Sequence, residues 1–177
     1  MQDQELQDSF AKLEAEIMPM MRFYDDFPKK GVRFLDIFSA TECPSAFKKI
    51  IAALQQLIAA KIGVPHKHFT HIAGLESKGF VLGPILAYNY DVTFIPIRKK
   101  GKLPGECVKQ EYTLEYGTDC IEVQKTAFKP GDKVIMIDDL LATGGTLAAG
   151  EQLLGRFEGV EVVSHLLVFE IDALNGR

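Results

Sequence analysis

The run Val134-Ile135-Met136-Ile137-Asp138-Asp139-Leu140-Leu141-Ala142-Thr143-Gly144-Gly145-Thr146 constrains this chain more than any other stretch. Its four apolar β-formers follow a Pro130-Gly131 turn, the pattern of a strand covered on both faces, and Leu147 to Leu154 continue as a helix. The small-residue turn between them places unpaired backbone N–H groups at a helix N-terminus, where the amides and the helix dipole both favour an anion. Asp138 and Asp139 beside the turn repel phosphate but accept hydrogen bonds from hydroxyls. A ligand with a phosphate at one end and a diol a few ångströms away satisfies both halves. Helix capping accounts for one of the two carboxylates, not for both. Gly74 to Gly79 has the GxxxxG spacing of a triphosphate loop, but Phe80 and Val81 stand where Lys and Ser or Thr are required. No GxGxxG follows a strand, so a dinucleotide-binding domain has no support.

The rest of the chain alternates the two periodicities. Leu6, Phe10, Leu13 and Ile17 predict a helix over Gln4 to Met20, broken at Phe27 to Gly31 and followed by a short apolar segment, Val32 to Phe38. Ser45 is a plausible N-cap for a helix carrying Phe47, Ile50, Ile51, Leu54, Leu57 and Ile58, with Gly63 and Pro65 as stop signals. Strands are predicted at Phe69 to Ala73, Val92 to Ile97, Ile121 to Gln124, Val134 to Ile137 and Val160 to Phe169. Further helices are predicted from Phe80 to Tyr88 and Leu147 to Phe157. Such alternation implies an α/β fold, a mostly parallel sheet with helices on both faces. Ligands of open sheets sit beyond the carboxyl ends of the strands, where the 74–78, 98–102 and 138–146 segments would emerge together. Arg98 to Gly117 is polar, basic and glycine-punctuated, and too long for an ordinary connection, which marks it as a lid or a disordered span.

At 177 residues and 47% hydrophobic content the chain is most simply one domain. A net charge of -4 argues against a general nucleic-acid surface, so anion binding has to rest on placement. No apolar run reaches a membrane-spanning length, and Asp3, Glu5 and Asp8 open the chain where a leader would carry basic residues. Cys43, Cys107 and Cys120 lack CxxC spacing and fit reduced thiols, so a cytoplasmic setting is expected. His66, His68 and His71 have no Cys or carboxylate at ligand spacing and read as a solvated turn rather than a metal site.

Val134 to Thr146 resembles the phosphoribosyl-pyrophosphate motif of the type I phosphoribosyltransferases. Asp26-Phe27-Pro28, Ala73 to Phe80, Ile97 to Gly105 and Leu114-Glu115-Tyr116-Gly117 resemble, in that order, the adenine-using members of the family. The resemblance covers most of the chain. It implies a single phosphoribosyltransferase domain over 1–177, with a small N-terminal base-covering hood (about 1–38), a core (about 45–170) and a flexible catalytic lid (about 101–117). It also implies condensation of adenine with 5-phosphoribosyl 1-pyrophosphate to AMP and pyrophosphate, with magnesium carried by the pyrophosphate donor, in a homodimer.

Carried over by position, Ala142, Thr143, Gly144, Gly145 and Thr146 would hold the 5-phosphate and Asp138 and Asp139 the ribose hydroxyls. Glu76, Ser77 and Lys78 would form the pyrophosphate loop, with a non-proline cis peptide, joined by Arg98, Lys99 and Lys102. Arg33, Phe34, Leu35 and Ile171 would surround adenine, and Glu115 and Tyr116 would be the catalytic lid residues, Glu115 as acid/base. Many relatives carry Asp and Arg where Glu76 and Lys78 stand, and an ammonium replaces bidentate recognition by a point charge. Two alternatives stay open: a sister enzyme for another purine base, and a non-catalytic regulator that binds phosphoribosyl pyrophosphate.

Overall fold

The computed structural model describes residues 2–27, 30–31, 33–114 and 117–177. The chain divides into two compact units, Met1–Gln56 and Leu57–Arg177.

The first unit opens with α1 (Gln2–Ile17), whose register is held by a 2.5 Å ion pair between Glu16 and Lys49. After a 3-10 turn come β1 (Arg22–Asp25) and β2 (Arg33–Asp36), an antiparallel pair with Phe23 opposite Leu35 and Tyr24 opposite Phe34. The short α2 (Phe38–Thr41) follows; its Ser39 hydroxyl accepts the Arg22 N–H at 3.0 Å and ties the helix to β1. Phe23, Tyr24 and Phe27 stay exposed, so this ribbon is an aromatic surface rather than a core. Pro44 begins α3 (Pro44–Lys61), one residue before the Ser45 cap read from the sequence. Ile50, Leu54 and Ile58 recur every fourth residue along it and are all buried.

The second unit is built on a six-stranded sheet in the order β5-β6-β4-β3-β7-β9. Its strands are β3 (His71–Leu75), β4 (Thr93–Lys99), β5 (Cys107–Leu114), β6 (Gly117–Gln124), β7 (Lys133–Ile137) and β9 (Glu161–Leu166). β4, β3, β7 and β9 run parallel, and β6 and β5 complete the sheet antiparallel. Residues 107–114, taken from the sequence as lid, thus form one arm of a hairpin paired from Cys107–Gln124 to Leu114–Gly117. A two-residue parallel pair, β8 (Leu140–Leu141) with β10 (Phe169–Glu170), lies past β7 and β9.

Two helices sandwich the sheet. Met136 and Ile137 point to opposite faces of β7, as alternate strand residues must. Ile137 lies against Gly83 of α4 (Gly79–Tyr90), and Met136 against Gly150 of α5 (Gly145–Leu154). On the α5 side Leu75, Ile97, Val123, Val134, Met136, Leu153 and Leu154 form a continuous buried core. The approach of α4 to β3 depends on glycine: a Cβ on Gly79 would stand 2.5 Å from the Ile137 carbonyl oxygen, and one on Gly74 would stand 2.8 Å from that of Gly79. Among the described residues no helix is long and apolar enough to cross a membrane.

Candidate active site

The ends of β3, β4 and β7 carry three segments rich in charge. After β3 the Glu76–Ser77 peptide bond is cis, as the resemblance implies, and α4 begins at Gly79. The Glu76 carboxylate takes both Arg98 donors, Nε to Oε2 and Nη2 to Oε1, each at 3.0 Å. Glu76 also accepts the Lys99 N–H at 3.1 Å. The guanidinium beside it holds the Glu76 carboxyl below its usual range despite partial burial. Arg98 closes the ring by donating Nη1 to the Lys102 carbonyl at 2.9 Å, so the β3 and β4 loops are fastened together.

After β7 come the two acids. The Asp138 N–H donates to the Leu166 carbonyl at 3.2 Å, and its Oδ1 accepts the Asp139 N–H at 3.0 Å. Asp139 is buried, and its carboxylate lies 3.6 Å from the Lys78 ammonium, the contact that joins the pyrophosphate-loop candidate to the acid pair. Burial, and secondarily the neighbouring Asp139 charge, push the Asp138 carboxyl up from 3.8 to about 7. The free chain therefore holds Asp138 close to half protonated at neutral pH.

The turn that follows caps α5 with Gly144 at φ +78° and no side-chain cap, leaving first-turn amides available to an anion. The Tyr112 hydroxyl, on β5, donates to Asp119 at 3.4 Å. Asp119 in turn pairs with Lys99 at 3.1 Å. Ala142, Thr143 and Gly145 complete the turn, whose path is narrow: a Cβ on Gly144 would meet the Gly176 carbonyl oxygen at 2.5 Å.

Arg33, Phe34 and Leu35 belong to β2 of the first unit. There the Arg33 guanidinium sits 4.5 Å from the Phe23 ring centre and 3.7 Å from Asp25, and Phe34 meets Phe27 edge-on at 5.0 Å. Ile171 is in the second unit, its N–H bonded to the Leu141 carbonyl at 2.9 Å beside the acid pair. Glu115 and Tyr116 lie outside the described residues. Of the His66, His68 and His71 group, His66 and His68 lie in the turn before β3. His71 instead enters that strand, nearly buried, 3.6 Å from Asp132, and burial lowers its pKa.

Sequence reasoning missed Tyr112, Asp119 and above all Glu122, which is buried beneath the basic loop. The available signal was a lone acid between Ile121 and Val123 in a strand otherwise apolar at its end.

A sheet of this order, with a strand–acid–acid–turn–helix unit starting from β7, defines a class. Residues 41–174 match the phosphoribosyl transferase domain. The adenine phosphoribosyltransferase of Yarrowia lipolytica is 40% identical over 169 residues, which span 96% of this chain and 91% of that protein. That of Drosophila pseudoobscura pseudoobscura is 46% identical over 154 residues, covering 87% and 82%. Among solved structures, the Saccharomyces cerevisiae enzyme complexed with D-2,5-dideoxy-2,5-imino-altritol 1,6-bisphosphate and adenine superposes with a TM-score of 0.88. It is 38% identical, and the match covers 94% of this chain and 93% of that one. The Trypanosoma brucei enzyme in complex with AMP, pyrophosphate and ribose-5-phosphate gives a TM-score of 0.80 at 31% identity, covering 93% and 70%. The chain belongs to the adenine phosphoribosyltransferase family.

Proposed function

We propose that the chain condenses adenine with 5-phosphoribosyl 1-pyrophosphate to give AMP and pyrophosphate. The observation that carries this reading is the meeting of anion-binding turn, acid pair and basic loops at one end of a sheet whose relatives are adenine phosphoribosyltransferases. In this reading the amides of Ala142, Thr143, Gly144, Gly145 and Thr146 take the 5-phosphate. Asp138 and Asp139 accept the ribose hydroxyls. Ser77, Lys78, Lys99 and Lys102 face the pyrophosphate, while Glu76 and Arg98, engaged with each other, brace those loops.

Departure of pyrophosphate leaves positive charge on the ribose and gathers negative charge on the leaving group. Cations fixed at the leaving group stabilise that second charge more in the transition state than in the bound donor, which is what lowers a barrier. Asp138 and Asp139 face the opposite charge on the sugar. Magnesium would be supplied on the donor, where hard phosphate oxygens suit it, and would offset part of the leaving group's charge while Lys78, Lys99 and Lys102 offset the rest. Glu115 exchanges a proton with adenine as the C–N bond forms, Tyr116 is assigned with it to catalysis, and the 101–117 segment keeps water from the cationic sugar. Contact with adenine is assigned to Ile171 in the second unit and, from the family resemblance alone, to Arg33, Phe34 and Leu35; the working protein is a cytoplasmic homodimer.

The test is an absorbance assay of adenine, hypoxanthine and guanine with the donor and magnesium, alongside light scattering for the assembly. Adenine alone should be consumed. Turnover of hypoxanthine or guanine instead would move the base assignment, and no turnover with intact donor binding would leave a regulator.

A further inference from the structure

Glu122 has no part in the chemistry above, yet it is 1% exposed, the most deeply buried charged residue among those described. A buried carboxylate persists only when its charge and lone pairs are answered, so its partners reveal its use. Across the sheet it stands opposite Arg98 of β4 on one side and Lys109 of β5 on the other, the three on one face. Its Oε2 lies 3.8 Å from the Lys109 ammonium. Its Oε1 accepts two backbone amides, Lys102 N–H at 3.0 Å and Leu103 N–H at 3.1 Å. The Lys102 carbonyl, in turn, is the one that Arg98 holds at 2.9 Å. Both polar groups of the Lys102 backbone are therefore fixed, one by Glu122 and the other by an arginine that faces Glu122 across the ladder.

We infer that Glu122 is a positioning residue for the pyrophosphate half of the site: its buried carboxylate pins the backbone of the 99–103 turn and so aims Lys99 and Lys102 at the leaving group. The inference rests on the function proposed above. The same acid, neutralised by Arg98, Lys109 and two amides, adds little repulsion to an incoming anion. Removing it strands the Leu103 amide and leaves the Lys102 N–H only its 3.2 Å bond to the Lys99 carbonyl, so the turn loosens, and a misplacement on the ångström scale is enough to lose tenfold or more in binding or rate. The 5-phosphate turn, on another loop, should not feel it.

Calorimetry on the full chain with two probes, magnesium pyrophosphate and ribose 5-phosphate, tests this, together with donor and adenine KM. For Glu122→Ala the expected result is roughly tenfold weaker pyrophosphate binding and a matching rise in donor KM. Ribose 5-phosphate affinity and adenine KM should stay within about twofold. Glu122→Gln keeps an oxygen for the two amides and should recover pyrophosphate binding to within about threefold. Lys109→Ala, which removes only the distant ion pair, should match wild type. Unchanged pyrophosphate affinity in Glu122→Ala, equal loss of both probes, or a glutamine as weak as alanine each overturns the inference. If Glu122→Ala does not fold, Glu122→Asp, one methylene short of the amides, must show the same selective loss. A wild-type chain that binds neither probe would instead sink the underlying function.

Discussion

Replacing Asp138 by asparagine should stabilise the free protein at alkaline pH while crippling it as an enzyme. Burial and the Asp139 charge raise the Asp138 carboxyl to about 7, against 3.8 in an unfolded chain. Between those values the folded chain holds a proton that the unfolded chain has released. Stability therefore falls as pH climbs through the window, and the loss is complete above about 7. At about 1.4 kcal/mol per pH unit, and with about two units of the window lying above pH 5, this one group destabilises the native state at pH 8 relative to pH 5 by roughly 3 kcal/mol at most.

His71 titrates in part of the same range with the opposite sign, because burial lowers it from 6.5 and its stability contribution grows as pH rises. Subtracting variant from wild type cancels that term. Urea unfolding of both proteins at steps from about pH 5 to about pH 8 should show wild type losing about 2–3 kcal/mol relative to Asp138→Asn. Donor KM of the variant should rise about tenfold or more, since a neutral amide is a poorer acceptor for ribose hydroxyls. A constant stability difference across the range would refute the idea that Asp138 carries the proton.

Gly144→Ala forces a side chain onto φ +78° and into the Gly176 carbonyl, so about 1–2 kcal/mol of stability should be lost by thermal unfolding, with donor KM raised and adenine KM unmoved. Gly79→Ala pushes a methyl group against the Ile137 carbonyl oxygen and should cost about 1–3 kcal/mol, read from the urea midpoint; a wild-type midpoint would mean that α4 can lift off the sheet. Glu115→Gln should lower kcat by about a hundredfold or more with adenine KM within a few-fold. A wild-type pH–rate profile in that variant would remove Glu115 from proton transfer.

The strand–turn–helix unit was readable because Val134 to Ile137 and Leu147 to Leu154 obey their periods without a polar interruption. β5 escaped notice for a local reason. Its inward row is Val108, Gln110 and Tyr112, and the glutamine, satisfied by Gln152 and Arg156, hides the alternation. Glu122 reads as the solvent side of its strand until the 99–103 turn folds back over it, a tertiary fact that no local pattern carries. The β8–β10 pair, two residues on each side, is too short to leave a period. Arg98 was legible as a cation near a strand end, but its bidentate commitment to Glu76, 22 residues away in sequence, was not. β1 went unread because its aromatic residues face outward.

The interlocked glycines where β3 hands over to α4 carry a consequence for how such a catalyst can open and shut. With Gly79 seated against the Ile137 carbonyl and Gly74 beneath it, the corner between β3 and α4 has no slack. Substrate meets a rigid anvil on that side. Adaptation to the arriving donor is to be sought away from that corner, so superposed free and occupied crystals should coincide there.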